Sequence, residues 1–271
     1  MKSHHCFTSL HRLLLAAFVL ALSSALVAAP ATPPLRALLV IGGCCHDYPV
    51  QKDLLKAGLV SRANVVVTIA YTSGTEKQAR FSHYERADWA KGYDVIIHDE
   101  CTSAAIEPSY IANVLAPHRA GLPAVNLHCA MHSYRTGNDE WFEFCGIQSS
   151  RHGPKLPIAV TTIDPKHPTM IGTAEWTTGN EELYNNVKVF PTATPLMRGV
   201  QKTPKSEDIA VVTWTNLYRG KARVFSTTLG HTNETVADTR YLDLVARGLL
   251  WACGKLRDDG TPAAGYGPTR P

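Results

Sequence analysis

Residues 121–134 read GLPAVNLHCAMHSY, and the apolar half of this stretch ends abruptly at His128. A short apolar run bounded by glycine and proline is typical of a strand that is buried on both faces of a sheet. Ligands of open α/β sheets bind just beyond the carboxyl ends of the strands. We therefore predict that residues 122–127 form the strand that carries the functional site, with His128, Cys129 and His132 at its end.

Similar apolar runs alternate with helical segments in the preceding part of the chain. Strands are predicted over residues 36–41, 64–70 and 93–98, and helices over residues 50–60 and 108–120. This alternation predicts a parallel, doubly wound sheet with helices on both faces. If the first, third and fourth strands are neighbours, their ends bring together His46, Asp99 or Glu100, and His128.

The second half of the chain contains shorter segments with strand character, at residues 156–163, 181–184 and 188–190. Residues 209–215 and 222–228 flank a polar turn, which predicts a C-terminal β-hairpin. Apolar residues at helical spacing over residues 238–253 predict a closing helix.

The first 29 residues have the features of a secretory signal peptide. Lys2 and Arg12 flank an apolar core at residues 13–22, and Ala29 ends a small-residue cleavage site. A retained membrane anchor is the alternative, but this apolar core is short for a span. We expect cleavage near Ala29 and export to a periplasm. The predicted organisation is a signal peptide at 1–29, a proline-rich linker at 30–35, one domain at 36–256 and a flexible tail at 257–271.

Composition and motifs argue against nucleic acids and nucleotides as ligands. The formal net charge of the 271 residues is only +4 and no cluster of Lys and Arg builds a basic face, which argues against a nucleic-acid partner. No GxGxxG motif follows the first strand, so no nucleotide cofactor is predicted.

The seven cysteines lack the CxxC spacing of a zinc ribbon or a redox motif. An oxidising compartment permits disulfides. The candidate pairs are Cys44 or Cys45 with Cys101, and Cys129 with Cys145. Alternatively, several of these cysteines are small buried apolar residues.

An ordered series of short motifs resembles the ThuA-like (trehalose utilisation) family, which has the class I glutamine amidotransferase-like fold. The segment GGCCHDY at residues 42–48 resembles the family's first-strand turn GG-x-HD-[YFH], with two cysteines in place of one spacer. Residues 121–134 resemble the segment G-x-x-x-x-H-x-A-x-x-S-[FY]. Further similar segments are SRHG at 150–153, DPKHP at 164–168, ELY at 182–184, TW at 213–214, GKARVFSTTLGH at 220–231 and WACG at 251–254.

The resemblance spans roughly residues 36–255. It implies a three-layer, flavodoxin-like α/β fold with a mainly parallel sheet, a C-terminal β-hairpin and a closing helix. It also implies a link to sugar metabolism, where related proteins occur beside dehydrogenases that make 3-keto sugars. Glutamine hydrolysis is not expected, because His128 stands where the wider fold has its nucleophilic cysteine and no His-x-Glu partner is visible.

Histidines that follow predicted strands are the candidate catalytic residues. His46, His128 and His231 are predicted to act with Glu182, and the three imidazoles are also candidate ligands of a divalent, zinc-like metal. Without a metal, the same His and Glu side chains could transfer protons. The predicted substrate-binding residues are Asp47, Tyr48, His132, Trp141, Arg151, His152 and Tyr184. Trp176 is a further candidate for stacking on a sugar, whereas His83, His118 and His167 are expected at the surface or in turns.

Three hypotheses follow from these residues. The first is an exported hydrolase, lyase or isomerase that acts on a disaccharide, a glycoside or a 3-keto sugar. The second is a non-catalytic sugar-binding or accessory protein that serves a partner sugar dehydrogenase. The third is a hydrolase whose nucleophile is the thiol of Cys129.

Overall fold

The computed structural model describes residues 32–268. The predicted signal peptide, the start of the predicted linker and residues 269–271 lie outside this range. Among the residues described, no helix is both long and apolar enough to cross a membrane.

The first half alternates strands and helices as predicted. A short 3₁₀ turn, Ser82–Glu85, precedes the third strand, and a second one, His128–His132, follows the fourth. The regular elements are β1 (Leu35–Gly43), α1 (Tyr48–Val60), β2 (Val65–Thr72), β3 (Val95–Cys101), α2 (Pro108–Ala120) and β4 (Ala124–Leu127).

The second half is richer in strands than the sequence predicted. Its elements are α3 (Glu140–Cys145), β5 (Ile147–Gln148), β6 (His152–Thr162), β7 (Trp176–Tyr184), β8 (Lys188–Val189), β9 (Ala193–Lys202), β10 (Glu207–Tyr218), β11 (Ala222–Thr227), α4 (Asn233–Ala237) and α5 (Thr239–Ala252). The β10–β11 hairpin and the closing helix α5 agree with the prediction, whereas β9, α3 and α4 were not predicted.

Within residues 32–268 the main sheet has nine strands in the order β2-β1-β3-β4-β11-β10-β9-β6-β7. The pairs from β2 to β11 are parallel. The pairs from β11 to β7 are antiparallel. Strands β1, β3 and β4 are therefore neighbours. This is the strand order on which the predicted meeting of their carboxyl ends depended. Strands β5 and β8 form a separate two-stranded sheet.

Successive residues of each central strand point to opposite faces of the sheet, and both faces are buried. Leu39 of β1 belongs to the apolar cluster that α1 and α5 cover, whereas Leu38 belongs to the cluster under α2 and α3. Full burial of a leucine side chain contributes about 1.5–3 kcal/mol to the free energy of folding. Strands that are apolar on both faces are therefore most stable when helices cover the sheet on both sides. The predicted three-layer α/β fold is confirmed.

Two predictions about loops and ends differ from the structure. Trp141 and Trp176, predicted to contact a sugar, lie in α3 and β7 and are only 1% and 6% exposed, because each packs into an apolar cluster. Residues 257–268, assigned to a flexible tail, lie against the domain. The amide of Asn64 donates to the carbonyl of Tyr266, whose ring packs on the core.

Candidate functional site

Four predicted catalytic side chains lie together at the carboxyl edge of the parallel strands. His46 follows β1, His128 follows β4, His231 follows β11, and Glu182 lies near the end of β7. Nε2 of His46 is 3.0 Å from Nε2 of His128, and Nδ1 of His231 is 3.3 Å from that same atom. Oε2 of Glu182 is 3.4 Å from Nδ1 of His231 and 3.7 Å from Nε2 of His128.

Burial keeps these imidazoles neutral. Burial, with a smaller contribution from His231, lowers the pKa of His46 to about 3. Burial also lowers the pKa of His231 to about 4, helped by Lys155 and His152. The pKa of the fully buried His128 lies well below its usual value, again because of burial first and His46 second. Near neutral pH each ring therefore carries one N–H group and one lone pair.

The hydrogen bonds decide where those lone pairs point. Nδ1 of His128 lies 2.6 Å from the carbonyl oxygen of Thr228. A carbonyl only accepts, so Nδ1 carries the hydrogen and the lone pair of Nε2 faces His46 and His231. Nδ1 of His46 lies 3.0 Å from the hydroxyl of Tyr48, which can donate or accept. His46 can therefore present either an N–H group or a lone pair to His128 without losing its outer partner.

Local backbone conformation places each imidazole. His128 has φ +38°, an uncommon value for a residue other than glycine, and it is the first residue of the 3₁₀ turn that directly follows β4. The buried carboxylate of Glu181 accepts the backbone N–H of His231, and Gln51 donates to the carbonyl of His231. Glu181 was not predicted, although its position before Glu182 in a strand puts it on the opposite face, where it supports the site from behind.

Aromatic rings form one wall of the site. Glu182 and Tyr184 are two residues apart on β7, so both side chains face the same side. The hydroxyl of Tyr184 is 3.3 Å from Nε2 of His128. The ring of His132 stacks on Tyr184 with centroids 3.9 Å apart, and His152 stacks on the same ring at 5.8 Å. Nε2 of His152 is 3.7 Å from Oε2 of Glu182.

A cavity of about 400 Å³ is lined by His46, His132, His152, Glu182, Tyr184 and His231, whereas the buried His128 is not among its lining residues. Its lining also includes four cationic residues, Lys77, Arg135, Arg151 and Lys155, of which only Arg151 was predicted. Nζ of Lys155 is 4.0 Å from Oε1 of Glu182, across the β6–β7 pair. Burial raises the pKa of Glu182, whereas His152 and Lys155 lower it. Lys155 could not be predicted from its neighbours in the sequence, because the register of β6 against β7 is what brings it beside Glu182.

Several predicted residues lie elsewhere. Asp47 is not among the cavity-lining residues and instead accepts a hydrogen bond from Asn233. Trp141 donates from its indole N–H to the carbonyl of Ala130 inside the core, so it cannot stack on a ligand. Tyr48 is buried and reaches the site only through its hydroxyl.

Asp99 and Glu100, at the end of β3, do not belong to the cluster of His46, His128 and His231. Oε1 of Glu100 is 2.9 Å from Nδ1 of His98, and His98 is 3.1 Å from His118, all within the core. His118, expected at the surface or in a turn, is fully buried. Asp99 is also buried and is not among the cavity-lining residues.

The cysteines pair differently from the prediction. Cys44 is bonded to Cys45, and Cys101 is bonded to Cys129. Cys145 could not reach Cys129, because the two belong to apolar clusters on opposite faces of the sheet. Cys129 is therefore not a free thiol here, and the thiol-hydrolase hypothesis loses its nucleophile.

The chemistry of the imidazole and carboxylate groups fits a zinc-like cation. Ligand nitrogens about 2.0–2.1 Å from zinc in tetrahedral geometry lie roughly 3.3 Å apart. The spacings of 3.0 and 3.3 Å between the imidazole nitrogens match that value. One ligand atom from each of His46, His128, Glu182 and His231 lies within 4.8 Å of the others. Three neutral imidazoles form the kind of donor set that a catalytic zinc ion prefers, and the carboxylate of Glu182 lies beside them.

The chain is similar to two ThuA-like proteins of known crystal structure. The protein from Parabacteroides merdae ATCC 43184 has a TM-score of 0.65 and 19% sequence identity, covering 88% of this chain and 98% of that one. The protein from Bacteroides uniformis ATCC 8492 has a TM-score of 0.60 and 18% identity, covering 85% and 96%. At these identities the likeness establishes the fold alone.

No curated protein matches the chain. The family model ThuA, described as trehalose utilisation, matches residues 46–252. That range begins at His46 and includes His128, Glu182 and His231. The chain therefore belongs to the ThuA (trehalose utilisation) family.

Proposed function

We propose that this chain is a carbohydrate-active enzyme that transfers a proton on a sugar substrate, with 3-keto sugars as the substrate class. The observation that carries the proposal is the convergence of three neutral imidazoles on one point beside the carboxylate of Glu182. Imidazole lone pairs that face one another repel unless a cation or a hydrogen lies between them. A protein that only holds a neutral sugar has no need of that arrangement.

His46, His128 and His231 would hold a zinc-like divalent cation in this proposal. When bound, such an ion supplies Lewis acidity that polarises a carbonyl oxygen of the substrate. The outer nitrogens of His128 and His46 already have partners, Thr228 and Tyr48, which would hold the two rings in place.

Glu182 is the proposed general base. Burial raises its pKa from the ordinary carboxyl value, which strengthens it as a base, while Lys155 and His152 favour the ionised form. Glu182 would accept a proton from the carbon next to the sugar carbonyl. Isomerisation follows if this proton is returned to the former carbonyl carbon while the proton of the adjacent hydroxyl passes to the old carbonyl oxygen. Elimination follows if the proton is given instead to the oxygen of a group that leaves from the β-carbon. If the same carboxylate accepts a proton from water, the reaction is a hydrolysis instead.

The test is proton exchange on a defined sugar. Zinc-loaded protein is incubated in D₂O with methyl 3-keto-glucoside, and NMR follows deuterium entry beside the carbonyl together with any new products. We expect exchange with the wild-type protein. We expect Glu182→Gln to lose it while still binding zinc, and His128→Ala to lose both exchange and zinc binding.

Two results would contradict this proposal. Exchange by Glu182→Gln at the wild-type rate would remove Glu182 as the base. Binding of the sugar to zinc-loaded wild-type protein, without exchange or new products, would favour the accessory-protein hypothesis.

We also propose that the protein is exported. The support is the basic, apolar and small-residue pattern of residues 1–29. Cell fractionation and N-terminal sequencing of the protein expressed in a Gram-negative host should find a periplasmic chain that begins near residue 30. A cytoplasmic chain with an intact N-terminus would contradict export.

A further inference from the structure

Four cysteines lie together beside the imidazoles. Cys44 and Cys45 follow β1, Cys101 ends β3, and Cys129 lies in the turn after β4. Because β1, β3 and β4 are neighbouring parallel strands, their carboxyl ends meet at one edge of the sheet. All four cysteines line the same cavity.

The two disulfides of this cluster touch each other. Cys44 is bonded to Cys45, Cys101 is bonded to Cys129, and Sγ of Cys44 is 3.5 Å from Sγ of Cys101. At that separation the two sulfur atoms are in van der Waals contact, with no atom between them.

The two disulfides differ in access. Cys45 is exposed, whereas Cys44, Cys101 and Cys129 are only 4–5% exposed. A thiol in solution can therefore reach the disulfide at Cys45 more readily than the disulfide between the largely buried Cys101 and Cys129. Cys44 is the residue that links the accessible disulfide to the covered one.

We propose that these four cysteines form a thiol–disulfide exchange site, in which an external dithiol reduces Cys44–Cys45 and Cys44 passes the reduction on to Cys101–Cys129. The substrate class is a dithiol, either a small molecule or a protein with a paired-cysteine motif. This activity is separate from the proposed sugar chemistry and does not depend on it.

The exchange proceeds in three steps that balance in electrons and protons. A thiolate of the dithiol attacks Sγ of Cys45, which breaks Cys44–Cys45, forms a mixed disulfide and releases the Cys44 thiolate. The Cys44 thiolate attacks Sγ of Cys101, which forms Cys44–Cys101 and releases Cys129. The second thiol of the dithiol resolves the mixed disulfide and releases Cys45. In sum, one dithiol becomes a disulfide, and the protein gains two electrons and two protons as thiols at Cys45 and Cys129.

The exchange has a consequence for the imidazoles. Cys129 directly follows His128, and its bond to Cys101 ties this turn to the end of β3. Transfer of the bond from Cys129 to Cys44 removes that tie. The redox state of the four cysteines is thereby coupled to the backbone that places His128.

A matched pair of variants tests the relay. Cys45→Ser leaves Cys44 as a free thiol 3.5 Å from Cys101, and Cys44→Ser leaves Cys45 free at the exposed position. Each oxidised protein is quenched in acid without any reductant, alkylated in denaturant at low pH and mapped by mass spectrometry. Cys145 and Cys253, which are free thiols in the structure, provide internal standards for labelling.

We expect Cys45→Ser to contain a Cys44–Cys101 disulfide with Cys129 alkylated, whereas Cys44→Ser keeps Cys101–Cys129 and is alkylated at Cys45. Alkylation of Cys44 in Cys45→Ser, with Cys101–Cys129 intact, would overturn the proposal.

The wild-type protein gives an independent answer if either variant does not fold. After one equivalent of dithiothreitol, the proposal expects alkylation at Cys45 and Cys129 and a new Cys44–Cys101 disulfide. Alkylation at Cys44 and Cys45 together, with Cys101–Cys129 intact, would show two independent disulfides and refute the relay.

Discussion

Tyr48 is the outer hydrogen-bond partner of His46. Its hydroxyl lies 3.0 Å from Nδ1 of His46 and can accept the hydrogen that Nδ1 carries when Nε2 presents its lone pair. Outer partners of this kind fix the tautomer and the orientation of metal-binding imidazoles, and their loss typically lowers metal affinity by about 10–100-fold.

Tyr48→Phe should accordingly bind Zn²⁺ about 10–100-fold more weakly than the wild-type protein, as measured by calorimetric titration. Tyr218→Phe is the matched control, because Tyr218 is also buried but its hydroxyl has no hydrogen-bond partner among residues 32–268. Equal affinities for the two variants would show that Tyr48 does not orient His46.

Lys155 affects Glu182 through its positive charge. Its Nζ lies 4.0 Å from Oε1 of Glu182. Burial raises the pKa of Glu182, and the charge of Lys155 partly opposes this increase. A general base must be ionised, so the rate of the proposed reaction should fall as pH drops through the pKa of Glu182.

Lys155→Met should raise that pKa further and move the acidic limb of the pH–rate profile to higher pH. The measurement is the exchange rate of the 3-keto sugar between pH 4 and pH 8. Lys202→Met removes an exposed lysine that pairs with Glu207 and should leave the limb unchanged. A shift of the acidic limb to lower pH in Lys155→Met would contradict the conclusion that Lys155 lowers the pKa of Glu182.

At the scale of elements, close approach between helix α5 and strand β11 depends on Gly248. A Cβ atom at this position would lie 2.3–2.6 Å from ring atoms of Phe225. Alanine favours a helix over glycine by about 1 kcal/mol, but overpacking a core typically costs about 1–3 kcal/mol. Because an aromatic ring on a central strand cannot move freely, the packing effect should dominate.

Gly248→Ala should therefore lower the free energy of unfolding by up to about 2 kcal/mol in urea denaturation. Gly58→Ala in α1 is the comparison, because the three atoms nearest to its Cβ would all belong to the flexible side chain of Leu242. We expect a smaller loss, or none, for Gly58→Ala. A larger loss for Gly58→Ala than for Gly248→Ala would refute this account of the helix–sheet contact.

Elements also differ in how far the sequence predicts them. The apolar runs of β1, β3 and β4 are unambiguous, because both faces of these strands are buried. Strand β9 reads ATPLMRGVQK and was missed. It contains proline, arginine and glycine and is only partly buried, so neither a continuous apolar run nor strict alternation marks it. Pairing with β10 and β6, rather than local preference, makes it a strand.

At the scale of the whole molecule, buried imidazoles should make stability depend on pH. Burial, with a smaller effect of His98, lowers the pKa of His118 to about 3, against about 6.5 in an unfolded chain. The unfolded state therefore binds the proton first as pH falls. The stabilising contribution of neutral His118 is complete above pH 6.5 and is lost progressively between about pH 6.5 and pH 3.

The free energy of unfolding should be nearly flat from pH 8 to pH 7 and should then fall towards pH 4, by about 1.4 kcal/mol per pH unit for each such imidazole. His118→Gln lowers stability at pH 7 but should reduce the slope below pH 6, as measured by urea denaturation at each pH. The same slope in variant and wild type would show that His118 does not contribute.

Local sequence patterns were sufficient to predict the layered α/β fold, the family and the residue types of the candidate site. Strands buried on both faces and histidines at their ends are local patterns, and a local pattern can be read without coordinates. The sequence also suggested disulfides, but it could not choose the partners.

Which atoms are in contact depends on how the whole chain folds. In the folded chain, Nε2 of His128 lies within 3.3 Å of both His46 and His231. Glu100 is buried in the core against His98, and Lys155 lies opposite Glu182 in the β6–β7 pair. The physical reason is that strand order and register bring together residues far apart in the chain. A shift of one residue in a strand would turn every side chain to the other face of the sheet.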